Sequence, residues 1–241
     1  MKTTLSKFAA ASVAGLAVLG SVAVAEPVNA ATIANKNSEL SGLLNPLPEF
    51  PPNSPHTFGD TSCANGLVTS ATQCVGVIRG ANDVKEGGPN DPATKIVSSG
   101  VFDGIQNWTF NAKIDLNPTE VTGLNPLGFS ISTDKDAKTG TFSFANENIN
   151  WSLTRLAISL KGGPSYSIYY IPAGTFTTAP TNLAWNTLGI ETGGGSPGPG
   201  LSHASVYYDV IPTPALLPGL IGMGAAALRK RKGEGDESAE A

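Results

Sequence analysis

Histidine and cysteine are nearly absent: His56 and His203, Cys63 and Cys74 are the whole supply. Zinc- and iron-type centres are built mainly from those two residue types, so no metal-ligand motif can be assembled, and no metal or other cofactor is expected. Charge is also sparse. Charged residues make up 14% of the chain, the net charge is −4, and Lys and Arg form no stripe before the C-terminus. That excludes the electrostatic footprint of a nucleic-acid-binding surface. Long apolar runs are missing as well: each of the two greasy stretches, one per end, falls short of the roughly 20 residues that span a bilayer. Between them no window carries a convincing helical period.

What is present sorts the chain into five parts. Residues 1–30 combine Lys2 and Lys7, an apolar run from Phe8 to Gly20, and small residues around Ala25 and Ala30. That order predicts a secretory signal peptide, with cleavage before Glu26 or before Ala31. Residues 31–58 form a Pro-rich N-terminal segment, in which Asn45–Pro55 is expected to be an extended linker. Residues 59–211 form the body. Residues 212–232 hold Pro212-Thr213-Pro214-Ala215, an apolar stretch to Leu228, and the basic stop Arg229, Lys230, Arg231 and Lys232. As a helix, Ala215–Leu228 would rise about 21 Å, against a hydrocarbon core of about 30 Å, so it is a marginal span. Residues 233–241 are an acidic tail expected to be disordered. The basic stop and the two N-terminal lysines both belong on the cytoplasmic side, which leaves the body outside.

The run Pro212-Thr213-Pro214-Ala215-Leu216-Leu217-Pro218-Gly219-Leu220-Ile221-Gly222-Met223-Gly224, with four basic residues behind it, resembles the PEP-CTERM class of bacterial sorting signals. It is most similar to the Pro-Thr-Pro-Ala variant found in cyanobacterial exported proteins. The resemblance implies that Pro212, Thr213, Pro214 and Ala215 are read by an exosortase-type membrane peptidase after transient anchoring by the C-terminal helix. The body is also similar to exported domains that often precede this signal, through Cys63 and Cys74, Trp108, Trp151, Leu160–Ser167, Trp185–Thr187 and Leu201–Ser205. No activity comes with that second resemblance.

The body reads as all-β, a single β-sandwich or jelly-roll-like domain. Trp108, Phe110, Ala112, Ile114 and Leu116 alternate with polar residues at a period of two. Shorter alternations recur at Phe142/Phe144, Tyr166/Ile168/Tyr170 and Ala204/Val206/Tyr208/Val210, each predicting one apolar face. Trp151 and Leu153 stand on the opposite parity from Leu156, Ile158 and Leu160, which predicts a β-bulge near Thr154-Arg155. Turn residues punctuate these runs, and Gly193–Gly200 is expected to be a mobile loop. The isolated cysteine pair of an exported domain predicts a Cys63–Cys74 disulfide.

Chemistry is thinner. Ser202 or Ser205, His203 and Asp209 sit on or beside one strand, where alternate residues face opposite ways, so they do not form a catalytic triad. His203 is expected to bond a backbone carbonyl at a strand end. Asp103, Asp115, Glu120 and Glu147 could supply paired carboxylates, but nothing selects two of them. Asp134–Gly140 has Lys138 where a calcium loop needs an oxygen ligand, so a charged hairpin turn is expected. Trp108 and Trp151 fall in phase with apolar neighbours and belong to the core, which leaves Trp185 as the candidate glycan contact. No catalytic residue is assigned. The reading is an exported cell-surface or extracellular-matrix protein, associated with exopolysaccharide. A secreted polysaccharide hydrolase or lyase and a membrane-tethered structural protein are the alternatives.

Overall fold

The computed structural model describes residues 33–43, 57–58, 62–80, 82–192 and 198–212. The expected signal peptide, Asn45–Pro55, most of Gly193–Gly200, the expected sorting motif from Thr213 onward, the four basic residues behind it and the tail lie outside the described residues. Among the described residues, no helix is long and apolar enough to cross a membrane.

The chain folds mainly into two β-sheets. The larger takes β1 (Ala34–Asn35), β2 (Thr57–Phe58), β4 (Gln73–Arg79), β5 (Thr109–Leu116), β6 (Thr119–Thr122), β9 (Thr154–Gly162), β10 (Ser165–Ile171) and β12 (His203–Val210). The smaller takes β3 (Leu67–Val68), β7 (Ser130–Ser132), β8 (Thr139–Ser143) and β11 (Leu183–Asn186). Along the larger sheet the order is β1-β4-β10-β9-β12-β5-β6, with β2 also on β4; along the smaller it is β3-β11-β8-β7. Pairing is antiparallel throughout except for β1 on β4. The β9–β10 hairpin closes through Gly163-Pro164, where Gly163 has φ +56°, the conformation a two-residue hairpin loop demands of its first position. The Asp134–Gly140 stretch makes the turn from β7 into β8, whose first two residues are Thr139 and Gly140.

The two sheets share one core. Leu156, Ile158 and Val206 of the larger meet Phe142, Leu183 and Trp185 of the smaller. The disulfide Cys63–Cys74 is formed, with its Cα atoms 6.1 Å apart, and ties a 3-10 turn at Cys63–Asn65 to β4 within this core.

The other face of the larger sheet is not solvated, contrary to the single apolar face expected of each strand. Residues 82–108 run across it and carry the helix α2 (Pro92–Val97); Leu40 of α1 (Asn37–Leu43) joins them. Val84, Ile96, Val97, Val101, Phe102 and Trp108 press on Ala157, Tyr166, Ile168, Tyr170 and Tyr207. These helices are too short for a period to show in sequence, but α2 has local logic: Pro92 stands in the first turn, where no N–H is missed. Asp91 just before it accepts from the amides of Gly87 (2.7 Å) and Gly88 (3.0 Å), which tightens the approach.

Two bulges decide which residues reach that second face. In β4 the register on β10 shifts between Tyr166 and Ile168. Gly76 sits in the gap with φ +149°, and a Cβ there would lie 2.3 Å from Ser167 Oγ. Asn37 at the start of α1 satisfies the backbone that the bulge frees: its Oδ1 accepts from Gly76 N (2.8 Å) and its Nδ2 donates to Gly76 O. In β5 the register on β12 passes from Ala112↔Val206 to Phe110↔Tyr207, which makes Asn111 the extra residue. Asn111 is buried, accepts from Leu127 N (2.9 Å) and donates to Asn125 Oδ1 (3.1 Å).

That second bulge corrects the strict alternation read from Trp108 to Leu116. Trp108 and Phe110 belong to the cluster on the covered face of the larger sheet, while Ile114 and Leu116 belong to the core between the sheets. The bulge expected near Thr154-Arg155 is absent: Trp151–Leu153 form a 3-10 turn, and β9 runs regularly against β10 and β12 from Thr154. A turn before the strand changes parity as effectively as an extra residue within it.

Candidate functional site

Polar side chains that the alternation pattern would send to solvent converge under residues 82–108. Ser159 and Lys161 of β9, His203 and Ser205 of β12, and Lys113 and Asp115 of β5 share one face, because His203 is in register with both Lys161 and Asp115. Asp83 descends onto them from the covering layer. Asp83 and Ser159 are fully buried, and His203 and Lys161 are 4% exposed. His203 Nε2 lies 2.5 Å from Asp83 Oδ1, and its Nδ1 lies 3.3 Å from Asp115 Oδ1. Ser159 Oγ donates to the other Asp83 oxygen (2.6 Å), Lys113 Nζ is 3.0 Å from Asp115 Oδ2, and Lys161 Nζ donates to Gly163 O (2.5 Å). His203 therefore bridges two carboxylates, where a backbone carbonyl was expected.

With a carboxylate oxygen at each ring nitrogen, the imidazole is held as a cation donating twice. Burial alone would push its pKa down; the Asp83 charge and the bonds to Asp115 and Asp83 outweigh that and raise it above 6.5, while Lys113 opposes slightly. Burial alone would raise both carboxyls. The His203 charge and its bonds, with Ser159 for Asp83 and Lys113 for Asp115, bring each below 3.8. Lys161 is drawn down by burial and partly restored by Asp83.

These directions fix a pH window. A raised His203 contributes stability that is complete below pH 6.5 and is lost as pH rises through its folded value. Lowered carboxyls contribute stability that is present above pH 3.8 and is lost as pH falls through theirs. Denaturation midpoints measured across pH should therefore plateau between 3.8 and 6.5 and fall on either side. A midpoint still rising above pH 6.5 would contradict the charged histidine.

The arrangement does not activate a nucleophile. Ser159 gives its proton to Asp83, not to His203, so histidine and serine compete for one carboxylate where a triad needs them in series. Ser205 Oγ is buried with no hydrogen-bond partner among the described residues, and Asp209 pairs with Arg155 (3.0 Å), six residues along β12 from His203, about 20 Å at the strand rise. The carboxylates considered for glycoside chemistry are dispersed. Asp115 stands opposite Glu120 across β5–β6, Asp103 is bonded to Tyr170 at the other end of the sheet, and Glu147 lies in a loop. Sequence reasoning missed Asp83, and no local signal marks it, since its partners lie 76 and 120 residues away.

Trp185 is corrected from a glycan contact to a core residue. It is 1% exposed, stacks on Phe142 (centroids 5.6 Å apart, 19° between planes) and lies over Gly140, its cross-strand partner. Gly140 leaves the room: a Cβ there would come 2.6 Å from the Trp185 ring.

An open groove of about 370 Å³ lies where β12 leaves the sheet. One wall is Asp103–Asn107, the other Arg155 and Asp209, and Pro212 stands at the rim. Asp103 adopts φ +50° and is fixed at both oxygens: Gln73 Nε2 donates to one (3.0 Å) and Tyr170 Oη to the other (2.8 Å). Burial, followed by the Asp103 bond, pushes the Tyr170 hydroxyl well above its ordinary pKa, so it remains a donor. Arg155 Nη1 donates to Asp209 Oδ2.

Compared with known proteins, the chain matches no protein-family model, no curated protein and no solved structure. The functional reading therefore stands on the residues themselves.

Proposed function

We propose that the chain is an exported protein whose β-sandwich ectodomain is carried out by the signal peptide and held briefly by the short C-terminal span. An exosortase-type membrane peptidase then handles it at Pro212–Ala215. The ectodomain works without catalysis at the cell surface or in the extracellular matrix, in association with exopolysaccharide.

The observation that carries this reading is the place of the motif relative to the fold. β12 ends at Val210, Ile211 N donates to Leu153 O (2.9 Å), and Pro212 follows at the surface. The Pro-Thr-Pro-Ala motif thus begins just after β12, the last strand among the described residues. Because β12 is paired on both sides, by β9 and β5, a cut beyond Pro212 leaves the larger sheet whole. A disulfide inside the core fits an oxidising compartment.

Replacing Pro212 and Pro214 together by alanine in the exporting cell tests the motif. The expected outcome is accumulation of uncut protein in the membrane fraction, with export itself unchanged. Processing at the normal rate would show that these residues are not what the peptidase reads.

A further inference from the structure

The geometry points to the groove between Asp103–Asn107 and Arg155/Asp209 as a binding site for a neutral, hydroxyl-rich ligand: one sugar unit of an uncharged polysaccharide. This deepens the exopolysaccharide reading above and rests on it for the identity of the polymer.

The volume of about 370 Å³ falls within the range of small-ligand sites. The lining sets the chemistry. Asp103 and Asp209 are acceptors held in place, one by Gln73 and Tyr170, the other by Arg155. A carboxylate offers about four lone-pair directions, so each keeps acceptor capacity for a hydroxyl donor. Arg155 carries five N–H groups and spends only part of them on Asp209. Gln106 and Asn107 are exposed at the wall and add carboxamides that both donate and accept. A ring of donors alternating with acceptors suits a sugar, whose hydroxyls do both.

Other ligand classes fit less well. Two carboxylates against one guanidinium leave the groove net negative, which repels uronic acids and sulfated sugars. Both Asp103 oxygens already receive hydrogen bonds and Asp209 is paired with a cation, which disfavours a metal ion. Apolar lining is confined to Ile105 and Pro212, too little for a hydrophobic ligand. The rigidity of the wall supports a built site: φ +50° at Asp103 is a conformation non-glycine residues rarely adopt, and Ile105 O is held by the Trp108 indole N–H (3.3 Å).

The test is an NMR titration of the isotope-labelled full chain in lipid nanodiscs, with glucose, galactose and glucuronate as probes. Amide shifts should appear at Gly104–Asn107 with a neutral sugar and saturate at about millimolar concentration. Glucuronate should bind more weakly. Asn107→Ala, at an exposed position, and Asp103→Asn, which tolerates positive φ, should together weaken binding about tenfold while shifts elsewhere in the spectrum stay put. Shifts absent or remote from the groove, a preference for glucuronate, or wild-type affinity in the double variant would each overturn the site. The two proposals fail separately. Native protein that clings to matrix polysaccharide regardless of these substitutions would remove the groove and leave the surface role. A groove that binds sugar in a protein kept uncut in the membrane would do the reverse.

Discussion

Replacing Asp83 by alanine is expected to destabilise the fold by about 3–5 kcal/mol, the cost of removing one partner from a buried ion pair. Among the described residues, Asp83 anchors both His203 and Ser159 to the covering layer, and all three are buried. Without it the imidazolium faces only Asp115 while Lys113 and Lys161 stand nearby, so His203 would shed its proton. That relief sets a second, sharper expectation. Asp83→Asn keeps the shape and an acceptor oxygen but loses the charge, so its penalty should be largest near pH 5.5, where His203 is charged in the wild type, and should shrink as pH rises past the folded histidine value. Urea denaturation of both variants at about pH 5.5 and about pH 9 measures this. A penalty below about 1 kcal/mol, or one that does not depend on pH, would show that the Asp83–His203 pair does not hold the layer of residues 82–108 to the sheet.

The second large effect belongs to the disulfide. Reducing Cys63–Cys74, or replacing both cysteines by alanine, reopens a loop with a sequence separation of 11, worth about 3 kcal/mol of chain entropy in the unfolded state. For a domain of this size that corresponds to a fall in Tm of roughly 6–12 °C. Both sulfurs are buried in the core between the sheets, so reduction should be slow in the native protein and fast once urea opens it. Scanning calorimetry with and without reductant gives the answer. An unchanged Tm would mean that β4 and the Cys63–Asn65 turn are held by packing alone.

How much of this was legible from the residues depended on the range of the interaction. The disulfide was, because the chain's two cysteines leave one pairing. The β9–β10 hairpin was, because Gly162-Gly163-Pro164 is a local signal between two alternating runs. The second buried face was not. Residues 82–108 are rich in turns and hold one six-residue helix, so no period marks them as a covering layer, and the polar Ser159, Lys161, His203 and Ser205 therefore looked solvent-facing. The bulge at Asn111 was masked by a coincidence: the alternation continues unbroken in sequence while the chain switches faces beneath it. Trp185 was misjudged from its polar neighbours, since the room it occupies is made by Gly140 on another strand. The groove was invisible for the same reason, because Asp103, Arg155 and Asp209 meet only through the order β9-β12-β5 and the layer above it.

The most direct test of the central claim is mass spectrometry of the intact native protein from membrane, cell-surface and medium fractions. A mature form ending within or just beyond Pro212–Ala215, found outside the membrane fraction, is the predicted result. It would match a described strand, β12, that ends at Val210 and a motif that starts two residues later at Pro212. A chain that keeps Ala241 and stays in the membrane fraction would contradict it and make this a tail-anchored surface domain instead.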